Sequence, residues 1–70
     1  MRVVEELADN LAKDAIELAN ELGNDYIISE TAKVLAATSS TIEEAYMTSL
    51  RVRLAERRAR RFLEEKAQAV

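Results

Sequence analysis

A chain of 70 residues forms one domain at most, 1–70, and a core of that size supplies only about 3–5 kcal/mol unless disulfides, a metal or oligomerisation add to it. With no cysteine and no histidine, disulfides, thiolate metal sites, imidazole ligands and the usual general base are excluded, so association is the ordinary remaining aid. No proline, one glycine, 49% hydrophobic residues and a net charge of −3 favour a folded all-α domain over a disordered acidic tail.

The first helix is expected at about 3–22. Residues 6–14, ELADNLAKD, and 17–25, ELANELGND, agree at five of nine positions with an eleven-residue offset. Eleven residues are three helical turns, so Leu7/Leu18, Ala8/Ala19 and Leu11/Leu22 return to one stripe, which Val4, Ala12 and Ala15 make continuous. Glu5, Glu6, Asp9, Lys13, Glu17 and Glu21 lie opposite, and only Ile16 interrupts that polar face. Gly23 followed by Asn24 is a left-handed stop signal.

The second helix is expected at about 26–38, capped by Asp25 or Ser29, with Ile27, Ile28, Ala32, Val34, Leu35 and Ala36 at mostly helical spacing. Ile27, Ile28 and Val34 are β-branched, but a lone strand has no partner in this chain. SSTIEEAY then restarts the helical pattern: Ser40 stands three residues before Glu43 and Thr41 three before Glu44, two overlapping capping boxes. Nothing stops the third helix until about Gln68. At 1.5 Å per residue a helix over about 41–68 is ~40 Å long, against ~30 Å and ~20 Å for the other two, so it extends beyond the bundle.

Two apolar stripes mark the third helix. Ile42, Tyr46, Leu50 and Leu54, with Met47 beside them, can face the first two helices. Ala45, Val52, Ala55, Ala59, Phe62, Leu63 and Val70 lie on roughly the other side and call for another chain. Val52, Ala55, Ala59, Phe62 and Leu63 are therefore the candidate interface of a helical-bundle homo-oligomer, a dimer in the simplest case.

Charge is segregated as well. Residues 1–50 carry three basic and ten acidic side chains, residues 51–70 seven basic and three acidic, and six arginines fall between Leu50 and Phe62. At 100° per residue Arg53, Arg57, Arg60 and Arg61 share one side of the third helix, with Arg58 at its margin and Arg51 nearer the Phe62 stripe. Three uses compete: pairing with first-helix carboxylates in the same or a partner chain, gripping nucleic-acid phosphates, or binding an acidic protein partner. An isoelectric point near 4.9 and ten acids that repel a polyanion favour the first. Arginine rather than lysine in this segment suits planar, bidentate pairing.

ETAKVLAATSSTIEEAY, Glu30 to Tyr46, resembles the helix-turn-helix pattern of DNA-binding regulators, with Ala32, Leu35, the turn Thr38-Ser39-Ser40 and Ile42 at its small, apolar and turn positions. The resemblance covers about a quarter of the chain and implies a recognition helix beginning after Ser40. Ala36 stands where such motifs usually carry glycine, and Glu43 and Glu44 stand where base- or phosphate-facing residues belong. EELAD, Glu5 to Asp9, looks like half of the acidic helix motif of all-α nucleotide pyrophosphohydrolases, which hold Mg²⁺ between carboxylates of facing helices. The other acids that could complete it, Glu17 and Glu21, are on the same helix, so a solvated face is expected. Tyr26 and Tyr46 read as half-buried packing residues with wet hydroxyls.

No Ser-His, Cys-His, P-loop or dinucleotide-binding signature occurs, and no catalytic, cofactor or metal residues are expected. The apolar runs are far shorter than the ~20 residues needed to cross a bilayer, and MRVVEELADN turns acidic where a signal peptide becomes apolar, so a cytoplasmic location without membrane contact is expected. The sequence thus points to a non-enzymatic protein-interaction or regulatory module that self-associates through its third helix, with a DNA-binding regulator as the alternative.

Overall fold

A computed structural model of the chain describes residues 2–69. Three helices follow one another: α1 (Arg2–Leu22), α2 (Tyr26–Thr38) and α3 (Ser40–Gln68). Among the described residues there is no strand, so the chain is all-α, and Ile27-Ile28 lie inside α2. Val70, assigned above to the outer stripe of the third helix, lies outside the described residues.

Local chemistry explains each boundary. Gly23 takes φ +64°, the left-handed conformation that ends α1. The Asn24 N–H then donates to the Ala19 carbonyl at 3.0 Å and the Gly23 N–H to the Asn20 carbonyl at 3.3 Å, the paired bonds of a Schellman stop. The cap of α2 differs from expectation. Asp25 makes no side-chain cap bond; instead the Asn24 side-chain oxygen accepts from the Tyr26 N–H at 2.9 Å, because the helix starts immediately after the turn and leaves Asn24 two residues upstream of the first free N–H. The cap of α3 also sits one residue early: Ser39, in extended conformation, accepts from the Ile42 N–H at 3.3 Å. Ser40 and Thr41 are already helical, so neither capping box forms. Ser39 alone links α2 to α3, which shortens the three-residue turn of the helix-turn-helix resemblance to a single non-helical residue.

All three helices pack against one another. The short links reverse the chain twice, and α1 and α3 run in the same sense, since Asp9 meets Arg53 and Asn20 meets Arg57. The core is small: Ala8, Ala12, Ala15, Ile16 and Ala19 from α1 with Tyr46 and Leu50 from α3. Ile28, Ala32 and Leu35 of α2 and Ile42, Met47 and Leu54 of α3 close around it, half-buried. The inward stripe of α3 is the one its spacing predicts, except that Ala45, expected on the outer stripe, also packs half-buried against the core, because near the start of α3 its side is covered by the neighbouring helices.

The face of α1 is not. The core takes the alanine edge of the apolar arc together with Ile16, and leaves the leucine edge outside; Leu7 is 52% and Leu22 58% exposed, with Leu11 and Leu18 exposed beside them. Small side chains let the helix axes approach closely, so alanines meet α3 and leucines are turned about a quarter-turn away. Ile16, at the edge of the supposed polar face, becomes the largest α1 side chain in the core.

Tyr46 is also deeper than expected. It is the largest fully buried side chain, and its hydroxyl donates to the Ile28 carbonyl at 2.8 Å, tying α3 to the first turn of α2. Burial pushes its hydroxyl pKa above the ordinary value, against a smaller opposing effect of Thr31. Tyr26 is exposed, with its pKa raised by Glu30.

From Ala55 to Ala69 every residue of the chain is exposed. The helix of 29 residues is ~43 Å long at 1.5 Å per residue and dominates a molecule measuring 49 × 28 × 12 Å. Its last turns overhang the other two helices.

Candidate functional site

The two surfaces singled out from sequence, the outer stripe and the arginine face, both lie on the C-terminal half of α3. Val52, Ala55, Ala59, Phe62 and Leu63 are all exposed, Phe62 by 55% and Leu63 by 64%. At 100° per residue they are nearly opposite Tyr46 and Leu50, so no rotation of α3 can bury both stripes within one chain. Lys66 stands with its Nζ 5.6 Å from the Phe62 ring centroid, a cation–π contact. Across the molecule Val3, Leu7, Leu11, Leu18 and Leu22 of α1, with Tyr26 and Val34, are exposed too.

The arginines divide into three groups. Arg53 reaches α1 and grips Asp9 in a bidentate pair, Nε donating to Oδ1 at 2.8 Å and Nη2 to Oδ2 at 2.7 Å. That hydrogen bonding lowers the Asp9 carboxyl pKa below its ordinary value, against an opposing desolvation effect, and raises Arg53 in turn. Arg57 lies against Asn20, whose amide oxygen, turned toward the guanidinium, accepts from Nη1 at 3.2 Å and Nη2 at 3.1 Å. These two residues bind α3 to α1 along a groove of about 510 Å³ that also contains Lys13, Ile16, Glu17 and Val52.

Arg60 turns back to Glu56 of its own helix, Nε donating to Oε1 at 2.8 Å, an (i, i+4) pair. Arg51, Arg58 and Arg61 form no ion pair among the described residues. Of the five arginines assigned to one basic face, Arg53, Arg57, Arg58, Arg60 and Arg61, two are therefore engaged by α1, one by its own helix, and two, on the overhang, by no ion pair among the described residues.

Of the α1 carboxylates, Asp9 receives a guanidinium directly, while Glu17 adds a longer-range attraction to Arg53. Among the described residues no group of three or more carboxylates is gathered as metal ligands are, and no helix is long and apolar enough to cross a membrane. The leucine edge of α1 was missed as a surface because its repeat reads as core. The signal was the split of that repeat into an alanine edge and a leucine edge.

Comparison with family models, with curated proteins and with solved structures gives no match for this chain.

Proposed function

We propose that this chain is a non-enzymatic helical interaction or regulatory module of the cytoplasm, and that it works as a homo-oligomer, a dimer in its simplest form, assembled as a helical bundle through α3. One observation carries the reading: among the described residues ten large apolar side chains are exposed, while the buried core holds only three larger than alanine, Ile16, Tyr46 and Leu50. Monomeric proteins rarely leave apolar surface in such contiguous stripes, and a core of this size is marginal alone. Val52 borders the groove between α3 and α1, whereas Phe62 and Leu63 lie exposed toward the overhanging end of α3.

The test is the mass in solution of the native chain and of Phe62→Ala and Leu63→Ala. Anchors at the centre of an interface cost about 1–4 kcal/mol on truncation, so each variant shifts association to higher concentration while keeping its helical content. Unchanged mass in both variants removes this face from the interface.

A second reading, duplex DNA held by the overhang, is supported by Arg58 and Arg61, which form no ion pair among the described residues. The fixing of Arg53 and Arg57 by α1, and the position of Glu43 and Glu44 at the start of α3, weigh against it.

A further inference from the structure

Building on that self-association reading, we propose that the outer stripe of α3 is received by the leucine stripe of α1 on a second copy of the chain. Each copy then carries one donor surface, Val52 to Leu63, and one acceptor surface, Leu7 to Leu22. Both are exposed in the single chain.

Shape favours this pairing over like with like. The α1 stripe presents leucines in two pairs one turn apart, Leu7/Leu11 and Leu18/Leu22, whereas the α3 stripe sets Ala55 and Ala59 between Val52 and Phe62. Large side chains on one helix fit the low positions of the other, the condition for close interdigitation. The lengths agree as well: at 1.5 Å per residue Leu7 to Leu22 spans ~22 Å and Val52 to Leu63 ~17 Å.

Charge decides the choice of partner. At 100° per residue Asp14 and Glu21 border the leucine stripe, and Arg51 and Arg58 border the α3 stripe, where Lys66 adds a further positive charge against Phe62. Asp14, Glu21, Arg51 and Arg58 form no ion pair among the described residues, so all four are available to another chain. Pairing α3 with α3 so that the Arg51 and Arg58 margins meet, or α1 with α1 so that the Asp14 and Glu21 margins meet, is penalised by like-charge repulsion. The α1–α3 combination sets Asp14 and Glu21 against Arg51 and Arg58, while Glu56 on the opposite margin of the α3 stripe is already held by Arg60.

The absence of native cysteine makes single-cysteine variants clean reporters of this contact. Full chains bearing Leu18→Cys, given a small tag to separate them by mass, are mixed with chains bearing Ala59→Cys, allowed to exchange, and treated with a flexible bis-maleimide; Leu11→Cys serves as a second α1 position. Both leucines and Ala59 are exposed, so none of these changes empties the core. The expected result is a mixed cross-linked product that exceeds either homotypic product, and that is lost when Arg51 and Arg58 are both changed to Glu. Predominant α3–α3 products, or none from α1 positions in a chain of oligomeric mass, overturn this pairing and leave self-association through α3 intact. A monomer mass at micromolar concentration overturns both.

Discussion

Tyr46 is the residue on which the fold of the single chain most depends. Its ring fills the centre of a core otherwise made chiefly of alanine, and its hydroxyl holds α2 to α3 through the Ile28 carbonyl at 2.8 Å. Tyr46→Phe removes only that hydrogen bond. Because Ile28 lies inside α2, its oxygen keeps its helical partner, so the net loss is about 0.5–1.5 kcal/mol. For a domain of this length each kcal/mol lowers Tm by about 4–8 °C. Tyr46→Ala also removes the ring and leaves a cavity, at about 3–5 kcal/mol, as much as a core of this size supplies in total. Thermal and urea melts followed by far-UV circular dichroism separate the two variants, at one fixed protein concentration because association raises apparent stability. The expected order is a modest loss for Phe and loss of the cooperative transition for Ala. A pH series adds an independent check. Burial raises the Tyr46 hydroxyl above its ordinary 10.0, so its contribution is complete below pH 10 and disappears as pH climbs through the folded value. The difference between native chain and Tyr46→Phe should therefore shrink in alkali. Equal melting of native chain and Tyr46→Ala would refute this account of the core.

Three further outcomes follow from particular contacts. Asp9→Asn should flatten the acid limb of stability: the folded Asp9 pKa lies below its ordinary 3.8, so its pairing with Arg53 contributes above that value and is lost as pH falls through the folded one, which acid titration of native chain and variant compares. Gly23→Ala should cost about 1–2 kcal/mol in urea melts; nothing lies within 4 Å of an added Cβ, so the penalty is that of the left-handed backbone, and Gly23→Asn should cost less. Labelled duplex DNA at low salt should show no anisotropy change with micromolar protein; binding that falls steeply with salt and with Arg58→Ala and Arg61→Ala would instead favour the nucleic-acid reading.

Helix limits were legible because local chemistry sets them. The end of α1 follows from Gly23, and the apolar spacing of Ile42, Tyr46, Leu50 and Leu54 identifies the inner face of α3. What could not be read was which edge of a wide apolar arc packs inward. On α1 the alanines and leucines belong to one periodic pattern, and hydrophobicity alone assigns the leucines to the core; helix approach distance, a tertiary quantity, reverses that order. Ile16 was misplaced for the same reason, since the α1–α3 seam lies toward the polar side of the arc. Ser39 caps α3 in place of Ser40 because three hydroxyl residues in a row, Ser39, Ser40 and Thr41, offer equivalent side chains, and only the backbone shows which one is extended. Among the arginines, spacing placed Arg53 and Arg57 on one side, but their partners Asp9 and Asn20 depend on how α1 lies along α3.

In the proposed oligomer, each chain completes its core by meeting copies of itself. Sedimentation velocity of the untagged native chain across micromolar concentrations tests it most directly: the account predicts a mass that is a multiple of 7.9 kDa and falls on dilution, whereas a single species of 7.9 kDa that remains helical and melts cooperatively would contradict it.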